Sequence, residues 1–201
     1  MTAQIIVFPG TNRERDLGRA LHRITGKSPG YVWHGSEALP DKTSMILLPG
    51  GFSYGDYLRS GAMAAHSPIM DSVRQAANQG LPVIGICNGF QILCESRLLP
   101  GALLRNRSLH FACKTVYLRK SVNSSPLLAG MQDGQVIRVP IAHGEGRYYA
   151  DEATLEHLRS QGRIAFQYCN REGISGDAAN PNGSVGDIAG ITNEKGNVLG
   201  L

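Results

Sequence analysis

Short apolar runs alternate with amphipathic stretches along the first half of the sequence. The runs are rich in β-branched side chains, which is typical of strands buried on both faces, and two of them end at Pro-Gly. Between the runs, apolar residues recur at helical spacing from Leu17 to Ile24 and from Ile69 to Ala77, with Asn12 as the expected cap of the first helix. We predict strands over residues 5–8, 31–33, 45–48 and 83–87.

The second half of the chain is richer in predicted strands. The pattern favours strands over residues 115–119, 136–142 and 163–168, a helix over 152–159, and a hairpin turn over 193–197. Buried strands alternating with helices indicate an α/β fold. The expected architecture is a single-domain, open, mostly parallel sheet with helices on both faces and a small antiparallel extension. Such sheets place their sites at the carboxyl ends of strands.

Composition limits the classes of protein that fit this pattern. A chain of 201 residues is the size of one domain, which we expect to span residues 1–201. It has no run of about 18 apolar residues and no basic-then-apolar leader, so we expect no membrane association and a cytoplasmic location. Lys and Arg number 20 against 16 Asp and Glu, and they are scattered, which argues against a nucleic-acid partner.

The four cysteines are predicted to be reduced thiols, because they form neither a CxxC pair nor a secreted disulfide framework. They lie at positions 87, 94, 113 and 169, and we expect the last three to pack in the core.

Cys87 lies in the most informative segment, Gly85-Ile86-Cys87-Asn88-Gly89-Phe90-Gln91. A nucleophile on a sharp turn between a strand and a helix needs very small residues two positions before and after it, and Gly85 and Gly89 satisfy that need. The helix N-terminus is expected to favour the thiolate, and the amide of Asn88 is placed to stabilise an oxyanion. A buried structural cysteine beside helix-packing glycines is the alternative interpretation.

A second loop supports the interpretation of Cys87 as a nucleophile. Pro49-Gly50-Gly51 follows a predicted strand, so in a parallel sheet it reaches the same edge as Cys87. The glycine amides of Gly50 and Gly51 then complete an oxyanion hole. Alone, Pro-Gly-Gly is a common turn; paired with the elbow it is specific.

With these motifs the chain resembles the class I, or triad, glutamine amidotransferases, and within them the small glutaminase subunits of purine biosynthesis. The matching segments are collinear over nearly the whole chain: residues 7–12, 48–59, 85–93, 99–101, 105–106, 140–146, 180–184 and 188–191. The resemblance implies the fold already predicted and a glutaminase activity. It implies that Cys87 attacks the side-chain amide of glutamine to form a glutamyl thioester, with Gly51 and Asn88 holding the oxyanion.

The resemblance also implies binding roles and partners. Gln91 is expected to help position the substrate glutamine, and His143 and Gly144 to line the glutamine pocket or lie near the partner contact. The ammonia passes to a separate synthetase subunit, and a small accessory subunit is a further candidate partner. No metal or cofactor is expected in this chain, since ATP and magnesium belong to the synthetase.

One part of the family pattern is missing from the 201 residues. Family members carry a His-Pro-Glu segment shortly after a strand like Asn197-Val198-Leu199-Gly200, and its histidine acts as the general base. We expect the given sequence to be truncated before it. Two alternatives stay open: an inactive relative, or a base role for His143, which has His-x-Glu spacing with Glu145.

Two other functions compete with the glutaminase. A catalytically incomplete subunit acting as a binding or scaffold partner would explain the missing base. A different cysteine hydrolase with the same architecture would explain the elbow, but such relatives usually place histidine directly after the nucleophile. Asn88 at that position disfavours the hydrolase.

Overall fold

A computed structural model describes residues 2–201 of the chain. The chain divides into two compact units: residues 2–98 together with Gly200, and residues 99–199 together with Leu201. None of the helices in the described range is both long and apolar enough to cross a membrane.

The first unit contains four strands and three α-helices. They are β1 (Thr2–Val7), α1 (Glu14–Thr25), β2 (Gly30–Trp33), β3 (Thr43–Leu48), α2 (Ile69–Asn78), β4 (Val83–Gly85) and α3 (Asn88–Glu95). The strands lie in the order β2-β1-β3-β4 and every pair is parallel. Ile5 faces Tyr31 on one side and Leu47 on the other, and Leu48 faces Gly85. The loops after β1, β3 and β4 therefore leave the sheet at one edge.

The first unit has a core that reflects this parallel pairing. Consecutive residues of β1 and β3 are buried, as expected for strands covered on both faces. Helix α2 buries one face in this core, and α3 is buried on nearly all sides. Burial of each large aliphatic side chain contributes about 1.5–3 kcal/mol to the free energy of unfolding. The fully buried ones include Ile5, Ile6, Ile46, Leu48, Ile69, Val73, Val83, Ile92 and Leu93.

The second unit is built mainly from antiparallel strands. Its elements are β5 (Ala102–Leu104), β6 (Ala112–Lys120), β7 (Val136–His143), β8 (Arg147–Tyr149), α4 (Glu152–Ser160), β9 (Ile164–Cys169) and β10 (Ile188–Thr192), with β11 (Val198–Gly200) ending in the first unit's Gly200. The order is β10-β9-β6-β7, with antiparallel pairing throughout, and β5 pairs with β8 in a separate antiparallel sheet. Short 3-10 turns occupy Ser53–Asp56, Ala64–His66, Pro126–Leu128 and Val185–Asp187.

The predicted α/β class is confirmed, including the parallel first half and the antiparallel pairing in the second, while several local predictions were wrong. Helix α1 has Arg13 at its N-cap, without a side-chain cap, so Asn12 does not cap it. Cys113 was expected to pack in the core but is exposed. The β5–β8 pair was not predicted, because each strand has only three residues.

The start of helix α3 packs very closely against β3. A Cβ at Gly89 would lie 2.0 Å from the Leu48 carbonyl oxygen and 2.7 Å from its carbonyl carbon. A Cβ at Gly85 would lie 2.5 Å from the Gly89 oxygen. Both contacts are with backbone atoms, which cannot move aside like the end of a flexible side chain. The helix start can therefore sit against β3 and β4 only with glycine at both positions.

Gly89→Ala is expected to lower the free energy of unfolding by about 2–4 kcal/mol, because the methyl group must displace backbone in a packed region. Urea denaturation followed by circular dichroism measures the loss. Gly130→Ala is the matched control, since a Cβ there has no heavy atom within 4 Å. It should change stability by less than about 1 kcal/mol. Equal effects of the two substitutions would contradict the packing argument.

Candidate active site

Cys87 lies on the turn between β4 and α3, at the N-cap of the helix. Its backbone angles are φ 55° and ψ −110°, a region that residues with a Cβ rarely adopt. Such a conformation costs about 1–3 kcal/mol and persists only where the surrounding packing holds it. Here the tight contacts of Gly85 and Gly89 hold it, and Cys87 is exposed at the surface. The turn ends β4 at Gly85, two residues earlier than the predicted strand.

Two backbone N–H groups converge on the Cys87 sulfur. The N–H of Asn88, at the start of α3, and the N–H of Gly51, in the loop after β3, both lie close enough to the thiol to lower the pKa of Cys87. A Cβ at Gly50 would lie 3.5 Å from the Cys87 Cβ, so this loop passes directly beside the nucleophile candidate. The structure thus brings together the residues that the sequence assigned to the elbow and to the oxyanion hole.

The Cys87 thiol is not in the electrostatic state expected from the sequence. Cys87 keeps some exposed surface, but the atoms packed around its thiol displace part of the hydration, and this desolvation raises the pKa of Cys87. The Asp56 carboxylate raises it further. The Asn88 and Gly51 N–H groups and the Arg13 guanidinium lower it, but they do not outweigh the loss of hydration. The N–H groups at the helix terminus do lower the pKa of Cys87, as expected, but desolvation is the larger effect and the net direction is upward.

The loops after β1 and β3 interlock through their backbones. Phe52 N–H donates to the Gly10 carbonyl at 3.0 Å, Tyr54 N–H to the Pro9 carbonyl at 2.7 Å, and Arg13 N–H to the Gly50 carbonyl at 3.3 Å. A Cβ at Gly51, whose φ is 149°, would lie 2.8 Å from Thr11 Cα. The position of the Gly51 N–H therefore depends on the loop that follows β1, which the sequence analysis did not connect to the site.

A cluster of side chains holds Tyr54, in the loop after β3. Tyr54 Oη lies 2.9 Å from His34 Nδ1 and 3.2 Å from Ser67 Oγ, and the Tyr54 ring meets the His34 ring edge-on. Burial lowers the pKa of His34, so the neutral ring is the relevant form at neutral pH. Because these residues are far apart in sequence and in different elements, no local motif could have revealed the cluster.

Gln91 lies one turn into α3 and is 8% exposed. Its Oε1 accepts a hydrogen bond from Asn88 Nδ2 at 2.9 Å. This contact occupies part of the carboxamide, and the predicted role of Gln91 in binding glutamine stays a prediction.

His143 and Gly144 belong to the second unit, at the end of β7. The His143 Nε2 lies 3.2 Å from Asn182 Nδ2, and burial lowers the pKa of the ring. The carbonyls of His143 and Gly144 accept from the Asn106 side chain and backbone at 2.9 Å each. Their predicted place in a glutamine pocket also stays a prediction.

Other chemistry-bearing residues of the described range do not form a metal centre. No group of three or more His, Cys, Asp or Glu side chains in residues 2–201 is arranged to hold a metal ion. Cys94 is buried in α3, and desolvation strongly raises the pKa of its thiol, which makes it a core residue as expected.

Comparison with curated proteins finds long, closely similar relatives. "Phosphoribosylformylglycinamidine synthase subunit PurQ" of Bradyrhizobium diazoefficiens is 56% identical over 201 residues, which are 100% of this chain and 86% of the relative. The subunit of the same name from Rhodospirillum rubrum is 55% identical over 201 residues, covering 100% of this chain and 87% of the relative.

Comparison with solved structures also finds glutamine amidotransferases. The "Structure of PurLQS from Thermotoga maritima" contains a chain with a TM-score of 0.84 and 43% sequence identity, covering 100% of this chain and 85% of that one. A second glutamine amidotransferase from Thermotoga maritima, at 15% identity, has a TM-score of 0.62, covers 100% of this chain and 74% of that one, and supports the fold alone.

The profile of one protein family matches residues 1–201. That match, with relatives more than half identical over the same residues, agrees with the elbow and the facing glycine loop. The chain belongs to the family of the CobB/CobQ-like glutamine amidotransferase domain.

Proposed function

We propose that this chain is the glutaminase subunit of phosphoribosylformylglycinamidine synthase and acts in de novo purine biosynthesis. The observation that carries the proposal is Cys87 at positive φ on the turn between β4 and α3, with the glycine loop after β3 beside it: a Cβ at Gly50 would lie 3.5 Å from the Cys87 Cβ. The name shared by the curated relatives supports the assignment of substrate and pathway. We further propose that residues 1–201 act as one amidotransferase domain and that the protein is cytoplasmic.

The reaction follows from the geometry around Cys87. The sulfur attacks the carboxamide carbon of glutamine, and the amide oxygen takes up negative charge that the two N–H groups stabilise. Collapse of this intermediate breaks the carbon–nitrogen bond and releases ammonia, which carries away the thiol proton. Water then hydrolyses the glutamyl thioester to glutamate and restores the thiol.

A general base is needed because the resting thiol of Cys87 holds its proton. A raised pKa leaves little thiolate at neutral pH, so the proton must be removed as the substrate is attacked. The family resemblance assigns this step to a histidine paired with a glutamate that follow residues like 197–200. The curated relatives are longer than this chain, which covers 86% of the first of them. A base role for His143 is the competing assignment.

The released ammonia is used by a second subunit. In the proposed complex, a synthetase subunit uses ATP and magnesium to convert formylglycinamide ribonucleotide to its amidine, and a small accessory subunit completes the assembly. The composite name PurLQS of the Thermotoga neighbour supports this set of partners. This chain itself is proposed to need no metal or cofactor.

Cys87→Ala is expected to lower glutamine-dependent amidine synthesis by the reconstituted full-length complex at least about a thousandfold, because the nucleophile is lost. Synthesis from ammonium salts should stay within about twofold of wild type. Cys94→Ala is the control, since that thiol is buried, and it should retain most of the glutamine-dependent rate. Loss of both glutamine- and ammonia-dependent synthesis in Cys87→Ala would contradict the assignment.

Charges beside Cys87 are expected to shift its thiol titration in opposite directions. Asp56→Asn removes a negative charge that raises the pKa of Cys87, so alkylation by iodoacetamide at pH 7 should become about two- to fivefold faster. Arg13→Gln removes a positive charge that lowers it, and the rate should fall by less than about twofold, because Arg13 is largely exposed and screened.

The measurement is the alkylation rate of Cys87 as a function of pH, corrected for other thiols with Cys87→Ala. The wild-type rate should still be rising above the pH at which an ordinary cysteine thiol is half ionised. Shifts of the same sign in Asp56→Asn and Arg13→Gln would disagree with the electrostatic assignment.

A further inference from the structure

The side chain of Asn88 connects the start of α3 to the loop after β3, and these two segments carry the proposed oxyanion donors. Its Oδ1 accepts a hydrogen bond from the Ser53 backbone N–H at 3.1 Å, and its Nδ2 donates to Gln91 Oε1 at 2.9 Å. Asn88 is 1% exposed and Ser53 is 2% exposed, so both bonds lie out of contact with bulk water. A hydrogen bond in such a place is strong and has no water to replace it.

The two oxyanion donors need a connection of this kind. The Asn88 N–H belongs to α3, whereas the Gly51 N–H belongs to a loop that leaves a different strand. Chain continuity therefore does not fix the distance between them. Ser53 lies only two residues after Gly51, so a bond from Ser53 to the Asn88 side chain ties the loop to the residue that supplies the other donor.

We propose that the Asn88 carboxamide is a positioning residue for the oxyanion hole: it holds the Gly51 N–H in register with the N–H of Asn88 itself. This inference rests on the proposed function of Cys87 as the nucleophile that attacks a carbonyl carbon. The role goes beyond the oxyanion contact of the Asn88 backbone, because it assigns a separate task to the side chain.

The two hydrogen bonds of Asn88 use both ends of its carboxamide. One short side chain must present an acceptor to Ser53 and a donor to Gln91, and asparagine carries both. Aspartate has the same size and keeps the acceptor, but its ionised form has no donor. Leucine has nearly the same shape and offers neither. These two replacements separate the bond to Ser53 from the mere filling of space.

The test compares two reactions of the same sulfur. Acylation by p-nitrophenyl acetate forms a bond from sulfur to the carbonyl carbon and expels p-nitrophenolate through an oxyanion intermediate. Alkylation by iodoacetamide forms a bond from sulfur to a methylene carbon and expels iodide without one. Both use the thiolate, so the ratio of the two rates cancels a change in the pKa of Cys87 and reports the oxyanion hole.

In the full-length protein, Asn88→Leu is expected to lower this acylation-to-alkylation ratio about 10- to 100-fold, because loss or misplacement of one oxyanion donor has effects of this order. The kcat for glutamine should fall by a similar factor, with KM within about threefold of wild type. Asn88→Asp keeps the acceptor for Ser53, so its ratio should fall less than that of Asn88→Leu. Background from other thiols is subtracted with Cys87→Ala.

Asn123→Leu is the matched control for loss of a buried asparagine. Asn123 Oδ1 accepts from Ser125 N–H at 2.9 Å and its Nδ2 donates to Thr192 Oγ1 at 3.3 Å, a similar pair of bonds in the second unit. This substitution should lower the melting temperature and leave the ratio unchanged. If Asn88→Leu does not fold, Asn88→Ala takes its place, since the space left admits a water to satisfy Ser53 without fixing the loop.

A ratio within twofold of wild type in Asn88→Leu would overturn the positioning role, and so would an equal fall in Asn123→Leu. The outcome separates this proposal from the proposed function. A wild-type protein that is acylated at Cys87 but does not hydrolyse glutamine, with or without its partners, would refute the glutaminase assignment and leave the ratio as a test of Asn88.

Discussion

The closeness of α3 to β3 is the constraint on which the site depends. Gly89 lies against the Leu48 carbonyl, where a Cβ would be 2.0 Å from its oxygen, and Cys87 stands at positive φ on the turn just before it. The same approach brings the first amide of the helix beside the glycine loop that follows Leu48. This packing therefore places the candidate nucleophile Cys87 beside the two proposed oxyanion donors. The strained turn is held by the packing and by local backbone hydrogen bonds, from Gly89 N–H to the Ile86 carbonyl and from Phe90 N–H to the Cys87 carbonyl.

Much of this arrangement was predictable from the sequence, because the decisive signals are local. Buried β-branched runs, glycines two positions either side of Cys87, and Pro-Gly-Gly after a neighbouring strand each depend on a few adjacent residues. Parallel pairing then brings the motifs to one edge. The strands over residues 115–119, 136–142 and 163–168 were found for the same reason: their patterns are long enough to be read without knowledge of their partners.

The remainder depended on contacts between distant residues. No local sequence pattern around Tyr54 predicts its hydrogen bonds to His34 and Ser67. The same holds for the hydrogen bond from Phe52 N–H to the Gly10 carbonyl. The direction of the Cys87 pKa shift could not be predicted for the same reason. A helix terminus is visible in sequence, whereas the hydration lost to surrounding atoms is visible only once the loops are assembled. Cys113 was misplaced because apolar composition does not reveal which side of a strand is covered.

The protonated state of Cys87 also affects its chemical durability. Peroxides oxidise thiolates far faster than thiols, and the first product, a sulfenic acid, proceeds to irreversible forms if it is not reduced. An exposed cysteine with a raised pKa thus spends most of its time in the form that resists this damage. The raised pKa therefore protects an exposed sulfur from oxidation while no substrate is bound.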